Sequence, residues 1–175
     1  MSSNMGKNDS GQSCEFQENL NILRQVSVFS PLPLDTLKVF AYLCSRERFK
    51  RDDFLFRQEE DDGQAFFIIS GKAVLVYEKA LQRIEFTHYG EGDFVGGLTL
   101  MGKVSRLFSL KALTDTECLI VHREKFAKAM EQFPELMPKI LQELVKRIYQ
   151  WEKALLADHA ETYAECIKKT GVSLI

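Results

Sequence analysis

The sequence predicts an α+β fold that is mainly β: an antiparallel β-roll or jelly roll, flanked by short N-terminal helices and a long C-terminal helix. Three observations lead there. Between Ser45 and His122, short runs of β-branched and aromatic residues are separated by Gly, Asp and Glu clusters, the mark of many short antiparallel strands. On both sides of that stretch the apolar residues fall at helical spacing instead. A hydrophobic content of 45%, with 13 Phe, is enough to build one packed core in a chain of 175 residues.

Residues 1–15 are mostly polar and small, a composition that cannot repay the entropy of ordering, and they read as a disordered tail. Leu20, Ile22, Leu23 and Val26 then predict a helix over Phe16–Val26, and a second is signalled over Pro33–Leu43. Strands are expected near Arg46–Lys50, Phe54–Arg57, Ala65–Ser70, Ala73–Tyr77, Ile84–Tyr89, Arg106–Thr114 and Glu117–His122. Ser70-Gly71 suits a tight join, and Lys79–Gln82 the next hairpin. A helix follows over Arg123–Gln132, and a long one begins near Pro134 or Pro138, where proline suits a first turn. Gly171 is a natural stop. The chain thus divides into the tail, a helical lead-in and roll over 16–132, and a C-terminal helical segment over 133–175.

In that last segment Leu141, Leu144, Ile148, Trp151 and Leu155 alternate steps of three and four, an a/d seam fit for a homodimer. The same stripe also fits one helix packed on its own domain.

Composition excludes several classes of function. A formal net charge of −2 offers no basic field for a phosphate backbone, so direct DNA binding is not expected. Cys14, Cys44, Cys118 and Cys166 lack the close pairs of a zinc or redox site and read as idle thiols in a reducing compartment. No eighteen apolar residues stand together and no apolar run follows the polar N-terminus, so no membrane association and a cytoplasmic location are expected. His88, His122 and His159 are too scattered for a metal set, and no Ser or Cys stands in a nucleophile motif. No metal, no cofactor and no catalytic residue is therefore expected, and His122 reads as a hydrogen-bonding residue where a strand hands over to a helix.

Two stretches carry a family likeness. The run FFIISGKAVLV at Phe66–Val76 and the run GDFVGGLTLMGKVSR ending at Arg106 resemble the cyclic-nucleotide-binding domains of catabolite activator proteins and protein kinase regulatory subunits. The likeness extends over roughly Asn19 to Glu152. The second run resembles that family's phosphate-binding cassette, in which a Gly-Glu pair opens a short helix and an arginine follows about nine residues later. The resemblance implies a ligand site at Gly96, Gly97, Leu98, Thr99, Arg106, Leu107 and Phe108, for a cyclic nucleotide or other small anion. The chemistry agrees: the open N–H groups of a short helix and a forked guanidinium both suit a phosphodiester.

Three positions depart from the family pattern. Gly97 stands where nucleotide-binding members carry a glutamate that accepts from the ribose 2′-hydroxyl, a loss of about 1.5–3 kcal/mol, or roughly ten- to a hundredfold in affinity. Phe108 stands where a small residue is usual; strand alternation would put it on one face with Arg106 and Leu110, partly filling the pocket. Glu59 replaces a glycine before the third strand, in a loop where the change is expected to matter little. Two functions follow: a non-catalytic sensing module that relays a small anion through the long helix, or a degenerate roll that binds no nucleotide and serves as a homodimerising or partner-binding scaffold. Control of transcription is disfavoured, because the family's DNA-reading helix-turn-helix follows the long helix and needs more residues than remain after Trp151.

Overall fold

The structure is a computed structural model that describes the backbone of residues 8–79 and 82–170 and the side chains of 14–78, 82–150 and 152–154. Ala80, Leu81 and Gly171, on which the expected hairpin turn and helix stop depend, lie outside the described residues, as do the side chains of Trp151, Leu155, His159 and Cys166. Helices α1 (Asn8–Gln25) and α2 (Leu34–Leu43) lead into eight strands: β1 (Ser45–Phe49), β2 (Phe54–Phe56), β3 (Gln64–Ser70), β4 (Lys72–Lys79), β5 (Gln82–Gly90), β6 (Phe94–Val95), β7 (Ser109–Ala112) and β8 (Thr116–His122). Helix α3 (Arg123–Gln132), a 3-10 turn (Pro134–Leu136) and the long α4 (Met137–Thr170) complete the chain.

The strands form two antiparallel four-stranded sheets, in the orders β1-β8-β3-β6 and β2-β7-β4-β5. The sheets face each other across a core built from Phe56, Phe66, Ile68, Leu110, Cys118 and Ile120. Alternation along the strands explains the unbroken apolar text of β3 and β8. Phe66 and Ile68 point into the roll while Ala65 and Phe67 point out, and Cys118 and Ile120 point in while Leu119 and Val121 point out. The outward set forms a second core under the helices, so the two middle strands of the first sheet, β3 and β8, are buried on both faces.

Phe29 ties that second core together. It is fully buried, with ring centroids 5.2 Å from Phe40, 5.9 Å from Phe94 and 6.4 Å from Phe126, which joins the lead-in helices, β6 and α3. The glycine at the β3–β4 join is required: Gly71 has φ +95°, and a Cβ there would lie 2.5 Å from the Asp115 carbonyl oxygen.

Three features differ from expectation. Helix α1 begins at Asn8, taking in part of the segment read as a tail, and its Glu18 pairs with Arg46 of β1 at 2.9 Å, a contact that composition does not reveal. Strand β6 was not expected, since two residues carry no period. The strand expected over Arg106–Thr114 is confined to Ser109–Ala112. The long helix starts at Met137, with Pro138 in its first turn as expected, after a separate turn that holds Pro134.

Of the thiols, Cys44 and Cys118 are enclosed by the fold, and burial pushes both up to about 12, far from the thiolate range, while Cys14 is exposed. His122 does stand at the strand-to-helix junction, with Nε2 2.9 Å from the Ser45 hydroxyl; burial, then Lys125, holds it below its ordinary value. Phe29→Ala is expected to cost about 3–5 kcal/mol in chemical denaturation, because three aromatic neighbours cannot all close on the space left.

Candidate functional site

Arg106 is turned inward. Its side chain is 6% exposed, and a salt bridge joins it to Asp62 in the loop before β3. Nε and Nη2 donate to Asp62 Oδ1 at 3.1 and 2.8 Å, and Nη2 also donates to Oδ2 at 3.0 Å and to the Gln64 carbonyl at 2.5 Å. The guanidinium lies 3.9 Å over the Phe56 ring. Its backbone is clamped as well, since Arg106 N donates to Glu60 O and Glu59 N donates to Arg106 O, both at 2.8 Å. Among the described residues Nη1 has no hydrogen-bond partner, and it faces Gly96.

Gly96 and Gly97 connect β6 to a short 3-10 turn over Gly97–Leu100, shorter than the expected helix. Gly96 has φ +87°, and a Cβ there would meet Arg106 Nη1 at 2.5 Å, so only glycine lets the chain pass over the guanidinium. Thr99 is buried, its hydroxyl 2.7 Å from Gln64 O and 2.8 Å from Gly96 O. One carbonyl, that of Gln64, therefore anchors both the turn and Arg106. The turn is held from its far end too: Arg123, the first residue of α3, donates through Nε to Thr99 O at 2.6 Å and pairs with Asp61. That pair holds the Asp61 carboxyl below the usual carboxylate range, chiefly through its hydrogen bond with Arg123.

The expected site residues separate into two groups. Gly96 meets Arg106, while Gly97 faces Phe94 and Leu144 instead, Thr99 is consumed by internal hydrogen bonds, and Leu98 and Leu107 stand 54% and 74% exposed. Phe108 does not share a face with Arg106 and Leu110. A bend at 107–108 precedes β7, strand alternation does not apply there, and the Phe108 ring joins Phe86 and Tyr77 at centroid distances of 5.1 and 6.0 Å. The face of Arg106 is covered by Phe56 instead. Sequence reading missed Asp61, Asp62 and Arg123; the acid pair beside Gly63 was the available signal, but a loop of acids reads as solvated surface.

Glu59 matters more than a solvated loop residue should. It takes φ +70°, the left-handed region where a side chain is strained, which accounts for glycine being the family's residue at that place.

On the seam, Leu144 is buried against its own domain, with Cδ2 3.8 Å from where a Gly97 Cβ would stand, and Ile148 is half-buried. Leu141 is exposed, and its stripe runs instead through Val145 and Tyr149, at 54%, 55% and 45% exposure.

Comparison with known proteins places the chain in a family and bears out the fold. A family profile described as "Cyclic nucleotide-binding domain" matches residues 46–133. A cGMP-dependent protein kinase of Drosophila melanogaster (isozyme 2, forms cD5/T2) is 30% identical over 124 residues, covering 68% of this chain but only 13% of the kinase. This chain therefore corresponds to a small part of such relatives. Among solved structures, the N-terminal domain of a transcriptional regulator from Streptomyces coelicolor superposes with a TM-score of 0.67 at 19% identity, covering 76% of this chain and 93% of that one. The regulatory domain of Toxoplasma gondii PKA, solved with cAMP, gives 0.63 at 20% identity over 77% of this chain and 52% of that one. At such identities these two likenesses establish the fold.

Two outcomes follow from the buried ion pair and the strained loop. Asp62→Leu is expected to cost about 3 kcal/mol by leaving a guanidinium uncompensated, and adding Arg106→Leu to recover most of it in a double-mutant cycle of denaturation midpoints. Glu59→Gly is expected to raise stability by up to about 1 kcal/mol, read the same way.

Proposed function

We propose that this chain, which belongs to the cyclic nucleotide-binding domain family, is a non-catalytic cytoplasmic regulatory module that takes a cyclic nucleotide or related small organic phosphate on Arg106 and relays its presence through α4. One observation carries the reading: an arginine is held inside the roll in a fixed orientation, with Nη1 aimed past a glycine that admits no side chain. An interior ion pair is an expensive way to fill a core, since apolar residues of similar volume often do as well or better. A bidentate carboxylate behind the guanidinium leaves one nitrogen to meet a phosphoryl oxygen without reorganisation. Relay is supported by the approach of Leu144 to Gly97, which puts α4 against the same turn that would close on the ligand.

The reading fits a weak or atypical nucleotide site. Gly97 offers no carboxylate to a ribose hydroxyl, and Thr99 has no hydroxyl proton to spare. A thermal-shift panel of cAMP, cGMP, cyclic dinucleotides and simple organic phosphates tests it. A true ligand at 100 times its Kd adds about 2.7 kcal/mol, and this gain is expected to vanish in Arg106→Ala. No stabilising compound, or one whose effect survives that substitution, contradicts the proposal.

A second role rests on the exposed stripe Leu141–Val145–Tyr149, which supplies an apolar face for a homodimer along α4. Sedimentation is expected to give a dimer that Val145→Glu converts to a monomer. A wild-type monomer at working concentration removes this role.

A further inference from the structure

A cavity of about 520 Å³ opens between the glycine turn and α4, with Tyr89 of β5 at its border. Its size lies in the range of small-ligand sites. Phe94, Leu98, Leu144 and Ile148 make its walls, and Arg147 and Tyr89 supply its polar groups. Gly97 explains the space. A Cβ there would lie 3.2 Å from the Phe94 ring and 3.8 Å from Leu144, so a side chain of any length at this position would grow into the cavity.

We propose that this cavity binds an amphipathic monoanion: an apolar body of about ten heavy atoms bearing one carboxylate or phosphate ester. Among the described residues Arg147 is the only cation in the lining, it makes no salt bridge, and its one hydrogen bond, to the Ser27 hydroxyl, is long at 3.3 Å. A guanidinium with spare donors at the edge of an apolar space recruits a single acid group. Tyr89 keeps its proton, its phenol held above the ordinary value by burial first and then by Asp93, and so adds a neutral donor. These few polar groups cannot satisfy a sugar, which sets the occupant apart from a nucleotide. Because Gly96 and Gly97 line this cavity while Gly96 also covers Arg106, an occupant here touches the turn from its other side.

The test is titration calorimetry of the full chain with decanoate, octyl phosphate and 1-decanol. At least one of the two acids is expected to bind ten- to a hundredfold tighter than the alcohol, Arg147→Gln to erase that difference, and Gly97→Leu to abolish binding. Ile148→Trp fills the same space from α4 and serves if Gly97→Leu fails to fold. Equal affinity for acid and alcohol, binding of none of the three, or acid binding that persists in the filled variants overturns the proposal. The site is separable from the nucleotide reading: a chain that binds decanoate but no compound of the phosphate panel refutes only the earlier proposal, and one that binds cAMP but neither acid refutes only this one.

Discussion

The ion pair between Arg106 and Asp62 organises the site and much of what surrounds it. A guanidinium placed inside an apolar roll must be neutralised and given acceptors, and the chain meets both needs with one carboxylate and the Gln64 carbonyl. The rest follows from these anchors. Gln64 opens β3, so the acceptor is fixed by the central strand of the first sheet. Glu59 and Glu60 pair their backbone with Arg106, which carries the loop over the arginine and forces Glu59 into a left-handed conformation. The strain is the local cost of the placement.

Two neighbouring acids hold two arginines from different parts of the chain. Asp62 holds Arg106 ahead of β7, and Asp61 holds Arg123 at the start of α3, while Arg123 also caps the glycine turn through Thr99 O. The turn is therefore bonded at one end to the interior of the roll and at the other to the helical layer. Leu144 of α4 packs beside Gly97, where the turn begins. Hydrogen bonds and this one apolar contact thus connect the surroundings of Arg106 to both helices.

The fold was largely legible because it is written in alternation. Both faces of β3 and β8 are apolar since both are buried, and the helical segments show their own period. What stayed hidden has physical reasons. Strand β6 is two residues long, and the end of β7 is set by a bend that no propensity announces. Within the site, the inward arginine was readable only through the resemblance to the family's cassette, and its partner was not, because Asp62 sits among Glu59, Glu60 and Asp61 in a run that looks like solvated surface. Phe108 was expected in the pocket through strand alternation that the bend cancels. On α4 the step of three and four was real, but one helix can present such residues inward as well as outward: Leu144 turned to the core and Leu141 to solvent.

The most direct test follows the Arg106 side chain itself. Its guanidinium nitrogens can be observed by nitrogen-15 NMR while cAMP, or whichever organic phosphate stabilises the protein, is added. With Asp62 occupying Nε and Nη2, the phosphate-seeking nitrogen is Nη1, and its signal is expected to move and to exchange slowly while Nε holds its position. Ligand binding that leaves every Arg106 nitrogen unmoved would show that this buried cation serves the roll alone.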